Sequence, residues 1–155
     1  MNRSKTILLY QDEPASGTAV KLIMGIVPAA LLGVSIYLWS KGESTGGRIL
    51  LVEAVVVGMI LWAVLPRRYE VYEDHLRIVL GGPFAFKVGF DQIKIIEVTN
   101  RTGRTINFVT TITRTYVMIV RKKGLSIAIT PKSNDLFVEN ALRASSQWEK
   151  TKLSY

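Results

Sequence analysis

The chain has 155 residues, with 20 Lys and Arg against 12 Asp and Glu, one histidine and no cysteine. The absence of cysteine excludes a disulfide framework and thiolate metal sites, and one histidine cannot supply a usual zinc ligand set. The formal net charge of +8 predicts an acidic neighbour, such as lipid headgroups, nucleic acid or an acidic protein.

Residues 1–18 form a short mixed segment, and two long apolar runs follow at 22–40 and 49–66. The first run carries no charge and the second carries only Glu53. As helices, both are long enough to cross a hydrocarbon core of roughly 30 Å, whereas core helices of soluble proteins are usually shorter or carry a polar stripe. We therefore predict a transmembrane hairpin over residues 19–66, with helices at about 19–40 and 49–66 and a polar link between them.

Small residues recur at a spacing of four along both runs. They are Gly25, Ala29 and Gly33 in the first run, and Ala54 and Gly58 in the second. Small faces let helix backbones approach closely in lipid, where no hydrophobic drive brings helices together. These residues predict helix packing, either within the hairpin or against a second copy or another membrane protein.

More basic residues flank the outer ends of the runs than the link between them. The flanking residues are Arg3, Lys5, Lys21, Arg67, Arg68 and Arg77, and the link holds Lys41 and Arg48. Because Lys and Arg favour the cytoplasmic side, this bias predicts a multi-pass protein of the cell membrane with both termini in the cytoplasm.

Glu53 is expected about one helical turn inside the second helix. An intramembrane carboxylate is a functional candidate, for instance in an accessory subunit of a transporter or membrane enzyme. The alternative is a structural residue that reaches outward to water or bonds with Ser35 or Tyr37 on the neighbouring helix.

From residue 67 onward the apolar residues alternate with a period of two, which indicates strands. They are expected near 68–72, 75–81, 84–90, 94–99, 105–112, 115–122 and 125–130. Short connections between them favour antiparallel neighbours, and Ser133 can cap a final helix. The chain is thus predicted to be an α+β membrane protein in which residues 67–155 form a seven-stranded antiparallel β-barrel or sandwich closed by a C-terminal α-helix.

Two segments of this part resemble the bacterial PH-like (pleckstrin-homology-like) domain. YEVYEDHLRIVLGGPFAFKVGFDQIKIIEV, with Ile93 and Ile96 as an I-x-x-I pair, is similar to its start, and YVMIVRKKGLSIAITPKSNDLFVENAL to its end. The resemblance covers roughly residues 20–145 and implies a PH-like fold behind two transmembrane helices. In animal relatives, basic residues beside the first hairpin turn hold phosphoinositides, but here that turn contains Glu73 and Asp74, so we do not carry the site over.

In an antiparallel meander, the turns at 81–83, 100–104 and 122–124 would lie at the membrane end of the domain. The residues predicted to bind the membrane surface or an acidic ligand are Arg67, Arg68, Arg101, Arg104, Arg121, Lys122 and Lys123. The acidic turns would then lie at the opposite end, and the final helix would bring Trp148 back towards the membrane. The alternative is that these basic turns are solvated hairpin tips.

No catalytic set, metal site or cofactor motif is evident in the sequence, and the basic turns lack the interleaved aromatic residues typical of nucleic-acid binding. We therefore expect a non-enzymatic membrane-anchored module that mediates protein–protein interaction or assembly at the cytoplasmic membrane face. The partners expected are the lipid bilayer and a second copy or another membrane protein, with no nucleic acid. The alternatives are a sensor of anionic lipid or another acidic ligand, and an accessory subunit of a transporter or membrane enzyme.

Overall fold

The computed structural model describes residues 6–100, 104–111, 113 and 115–154 of an α+β chain. Its elements in chain order are β1 (Leu8–Asp12), α1 (Thr18–Ser40), α2 (Ser44–Val64), β2 (Arg68–Tyr72), β3 (His75–Val79), β4 (Ala85–Gly89), β5 (Ile93–Thr99), β6 (Thr105–Phe108), β7 (Tyr116–Arg121), β8 (Ser126–Ile129) and α3 (Asn134–Leu153). All seven expected strands and the final helix are present. β1 was not expected, because its few apolar residues show no clear alternation.

The strands form two four-stranded sheets, in the orders β1-β2-β3-β4 and β5-β7-β8-β6, and not a closed barrel. The expectation that consecutive strands are antiparallel neighbours is wrong for β6, which pairs with β8 in parallel. The place beside β5 is taken by β7, whose longer ladder runs from Ile93 opposite Arg121 to Thr99 opposite Tyr116. β6 is therefore left at the far edge of its sheet.

The core lies between the two sheets and α3. Its fully buried side chains include Tyr69, Val71, Leu76, Ile78, Val88, Val117, Ile119, Ile127, Ile129, Phe137 and Ala141. Ile93 and Ile96 are also buried there. Alternation along β2, β3, β7 and β8 thus places one face of each strand in a single apolar interior, as period-two patterning predicts.

α1 and α2 pack as an antiparallel pair joined by residues 41–43, where Gly42 has a positive φ of 83°. The second helix begins five residues before the predicted boundary, since Gly46 and Gly47 continue the helix against Leu38 and Trp39. Both helices are long and apolar enough to cross a membrane, and only 6% and 11% of their apolar windows are buried in the protein. The core helix of a soluble protein would be mostly buried.

The helix pair is an insertion between two neighbouring strands of one sheet. β1 precedes α1, β2 follows α2, and the two strands pair from Leu8 opposite Tyr72 to Asp12 opposite Tyr69. Both ends of the hairpin therefore leave the domain at the same place, and residues from before and after the hairpin share one fold.

Candidate functional site

The start of α1 is fixed to the domain by residues 12–17, which we call the strap. The Asp12 carboxylate accepts hydrogen bonds from the backbone N–H of Glu13 (2.8 Å) and of Ser133 (3.0 Å). Ser133 directly precedes α3. The buried Asp12 therefore joins the end of β1 to the start of the last helix.

Further along the strap, backbone bonds reach the second sheet. Ala15 N–H donates to Thr130 O at 2.8 Å and Gly17 N–H donates to Thr110 O at 3.1 Å. The Thr110 hydroxyl donates to Ala15 O at 2.7 Å. Since Gly17 is the last residue before α1, the first turn of that helix is attached directly to the sheet.

Tyr69 fills the space beneath the strap. Its hydroxyl donates to Phe108 O at 2.8 Å, and burial raises the pKa of Tyr69 to about 12 although bonds with Thr130 and Thr110 oppose the rise. Asp12 adds to the rise through its negative charge. The phenol therefore stays protonated and keeps donating at neutral pH.

The end of α2 is attached to the turn that follows β3. The backbone of Gly81 lies so close to the Trp62 carbonyl that a Cβ at position 81 would collide with it. Arg67 N–H donates to Val79 O at 2.7 Å, and its guanidinium lies 5.6 Å from the centroid of a Trp62 ring. The turn at 81–83 thus lies next to the helix pair, as expected. We call the strap, Thr110, Thr130 and this turn the junction end of the domain.

Most of the predicted basic residues lie at the opposite end, which we call the far end and define by the turns at 73–74 and 122–124 and the last two turns of α3. Lys122 N–H donates to Gln92 O, and Lys122 lines one cavity with Asp91 and Trp148. Arg104 precedes β6, whose first residue pairs with Ser126 beside the same turn. The prediction that Arg104 and the 122–124 turn lie at the same end of the domain as the helix pair is therefore wrong, because β8 runs from this turn towards Thr130 at the junction.

The other predicted binding residues divide between the two ends of the domain. Arg121 donates from Nε to Leu125 O at 2.8 Å and so stabilises its own hairpin, and Lys123 is exposed beside it. Arg67 lies at the junction, while the Arg68 Nε is 3.7 Å from the carboxylate of the buried Glu70. Arg101 lies outside the described residues.

The final helix runs away from the helix pair instead of returning to it. Its start is tied to Asp12 at the junction, whereas Trp148 lines cavities with Glu73 and Asp74 and with Asp91. The acidic and basic turns thus share the far end. The predicted sorting of charge, basic towards the membrane and acidic away from it, does not occur among the described residues.

Only some of the predicted packing residues lie in the contact between α1 and α2, which we call the seam. Ala54 is 3% exposed, and a Cβ at Gly58 would lie 3.9 Å from the Pro28 ring. The Ser35 hydroxyl donates to Gly47 O at 2.6 Å, which sequence reasoning missed. Gly25 and Gly33 have no atom within 4 Å of an added Cβ, and Ala29 is exposed, so this face points away from α2.

Glu53 lies deeper in its helix than the sequence suggested. It is the tenth of the 21 residues of α2 because the helix starts at Ser44. Its side chain is exposed, and among the described residues it has no hydrogen bond or ion pair. The expected bond from Ser35 is absent, since that hydroxyl is used by Gly47.

Comparison with family models, curated proteins and solved structures finds no match to this chain. Among the described residues, no group of three or more His, Asp or Glu side chains could hold a metal ion. The two features that remain as candidates for function are the exposed surface of the helix pair, with Glu53, and the junction end.

Proposed function

We propose that this chain is a non-enzymatic, membrane-anchored module with a PH-like β domain, whose transmembrane hairpin assembles with a second copy or another membrane protein. The domain would lie at the cytoplasmic face, as the bias of Lys and Arg favours. The proposed assembly rests on one observation, which is that Glu53 is exposed on α2 and has no partner among the described residues. The hairpin's position between β1 and β2 supports an even number of spans, since both of its flanks belong to one folded domain.

The depth of Glu53 follows from the contacts across the seam. Ser35 lies opposite Gly47, and Pro28 lies opposite Gly58. In an antiparallel pair, these contacts place Glu53 level with Leu31, the midpoint of the apolar run 22–40. At ~1.5 Å per residue, Glu53 is then ~14 Å from either end of that run, and it lies ~8 Å along its own helix from the exposed Arg48.

An exposed carboxyl group at this depth is costly in lipid. Insertion scales put an acidic residue at the helix centre at about 2.5–3.5 kcal/mol, and such residues usually face a partner or a cavity. Among the described residues Glu53 has no hydrogen bond or ion pair, so a hydrogen-bond donor from another transmembrane segment would lower this cost. The outward Gly25, Ala29 and Gly33 offer a second surface that a helix could approach closely.

The proposal is tested by crosslinking the full-length protein in intact membranes at native expression. Glu53→Leu should reduce the crosslinked complex by roughly 5- to 30-fold, the equivalent of an interhelical hydrogen bond of about 1–2 kcal/mol. Val52→Leu is the matched control, because Val52 is the neighbouring exposed residue at 61% exposure and carries no polar group. A monomer in the parent protein, or a complex indifferent to Glu53→Leu, would contradict the proposal.

The placement of an exposed Glu53 in the middle of the hairpin also supports the alternative that the chain is an accessory subunit of a transporter or membrane enzyme. A proton path requires a group that ionises, whereas assembly requires only a hydrogen bond. Glu53→Gln should therefore keep much of the crosslinked complex if Glu53 serves assembly, and should abolish transport by the complex if Glu53 carries protons. The lipid-sensor alternative gains no support from the basic turns, because Arg104, Lys122 and Lys123 lie at the far end, and of its predicted residues Arg67 lies at the junction.

A further inference from the structure

A cavity of about 430 Å³ opens between the two attachment points of the helix pair. Its lining includes Lys21 and Met24 from α1, Leu65 and Arg67 from the end of α2, and Glu13 from the strap. This volume falls within the range of about 300–1,000 Å³ that is usual for small-ligand sites. The cavity is formed jointly by the helix pair and the domain.

The lining divides into a cationic part and an apolar part. Lys21 lies one turn into α1 and Arg67 lies three residues beyond the end of α2, so both are at the level where the apolar runs end. Val20, Met24 and Leu65 continue from there towards the apolar part of the pair. Glu13 contributes one opposing charge and leaves the lining with a net positive charge.

Both cations are available to a ligand. Among the described residues, neither Lys21 nor Arg67 forms a salt bridge, while Arg68 and Arg77 are paired with Glu70. The Arg67 guanidinium lies over Trp62, a residue type that favours the membrane interface. The first turn of α1 has no side-chain cap, so its positive end adds to the attraction of an anion.

We infer that this cavity binds one anionic phospholipid, with the headgroup phosphate between Lys21 and Arg67 and an acyl chain along Val20, Met24 and Leu65. The inference rests on the proposed membrane placement of the hairpin and is independent of the assembly through Glu53. Bound there, the lipid would fill the gap between the domain and the helix pair. The domain would then distinguish anionic from zwitterionic membranes at its junction end.

Native mass spectrometry of the full-length protein in detergent provides the test. Phosphatidylglycerol and phosphatidylcholine with identical acyl chains are titrated, and the fraction of protein with one bound lipid is measured. The parent protein should prefer phosphatidylglycerol by at least about fivefold, which corresponds to one favourable basic contact. Lys21→Gln with Arg67→Gln should abolish the preference, and each single substitution should reduce it.

The matched control removes the same charge from the far end. Arg104→Gln with Lys123→Gln should leave the preference unchanged, because both exposed residues lie away from the cavity. An equal loss in this variant, or no preference in the parent, would overturn the inference. So would full displacement of the lipid by soluble glycerol 3-phosphate, which would show a phosphate site without an acyl-chain contact. If the protein is monomeric and still prefers phosphatidylglycerol, the result contradicts the proposed assembly through Glu53 and supports the lipid site.

Discussion

The junction end and the far end of the β domain are held by different interactions. At the junction, Asp12, Ala15 and Gly17 make hydrogen bonds that each use a backbone N–H or carbonyl group, and Thr110 and Thr130 are buried. At the far end, exposed charged residues line open cavities around Trp148. The end that adjoins the helices is held by hydrogen bonds to the backbone, and the end that carries most of the turn charge is open to solvent.

This difference shows how the domain is oriented relative to the helix pair. Backbone bonds and the β1–β2 ladder set the orientation without help from surface charge. Exposed charges contribute little to stability, with a median of about 0–1 kcal/mol per pair, whereas buried backbone groups must be satisfied. Disrupting the junction should therefore detach the domain from the helices, and disrupting the far end should leave the attachment intact.

The largest effect is expected for Gly81→Ala. A Cβ at this position would collide with the Trp62 carbonyl and approach the Ala63 Cα, and neither backbone can move without shifting the end of α2. We expect a loss of about 3 kcal/mol in the free energy of unfolding, as for a severe steric conflict in a packed region. Denaturant unfolding of the full chain in mild detergent measures it.

Gly58→Ala is the control for this substitution, because its added atom would lie at an ordinary contact distance of 3.9 Å from the Pro28 Cβ. Since alanine has the higher helix propensity, this variant should be as stable as the parent or slightly more so. Equal effects of the two substitutions would mean that the contact between Trp62 and Gly81 does not hold the turn to α2.

A smaller effect is expected for Asp12→Ala at the strap. The substitution leaves the N–H groups of Glu13 and Ser133 without their acceptor and removes a negative charge near the start of α3. We expect a loss of about 2 kcal/mol in the free energy of unfolding. Asp12→Asn keeps one acceptor oxygen and should lose roughly half as much. If both variants matched the parent, the strap would contribute nothing to the attachment.

The sequence predicted the elements of the fold better than their arrangement. Alternating residues identified seven strands because burial of one face leaves a local pattern, and the apolar runs identified both helices. β1 was missed because Leu8–Asp12 is stabilised by its pairing with β2, and even the closest pair, Asp12 and Tyr69, is 57 residues apart in sequence. The parallel pairing of β6 with β8 likewise depends on β7 occupying the position beside β5, which no local spacing records.

The errors in the candidate sites have the same cause, because local sequence patterns do not record which distant segments lie together. The basic turns were assigned to the wrong end because their placement followed from an assumed strand order. Glu53 was predicted one turn inside its helix because Gly46 and Gly47 were assigned to the link, whereas both lie within α2 and pack against α1. Lys21 and Arg67 are distant in sequence, and only the closed hairpin brings them to one cavity.

Alkaline pH should weaken the junction through Tyr69. The unfolded phenol ionises near its ordinary pKa of 10.0, while burial raises the pKa of Tyr69 to about 12 in the folded protein. The folded state therefore retains a proton that the unfolded state loses. The stability linked to this group is fully present below pH 10 and falls by about 1.4 kcal/mol per pH unit until pH 12.

Tyr69→Phe isolates this contribution because the other titrating groups are the same in both proteins. Below pH 10 the variant should be less stable by about 1 kcal/mol, since it lacks the hydrogen bond to Phe108 O. As the pH rises above 10, the parent loses stability faster than the variant does. The free energies of unfolding of the two proteins should become equal at about pH 11. Parallel pH curves would contradict this prediction, because they would mean that folding does not raise the pKa of Tyr69 and that the phenol is not buried at the junction.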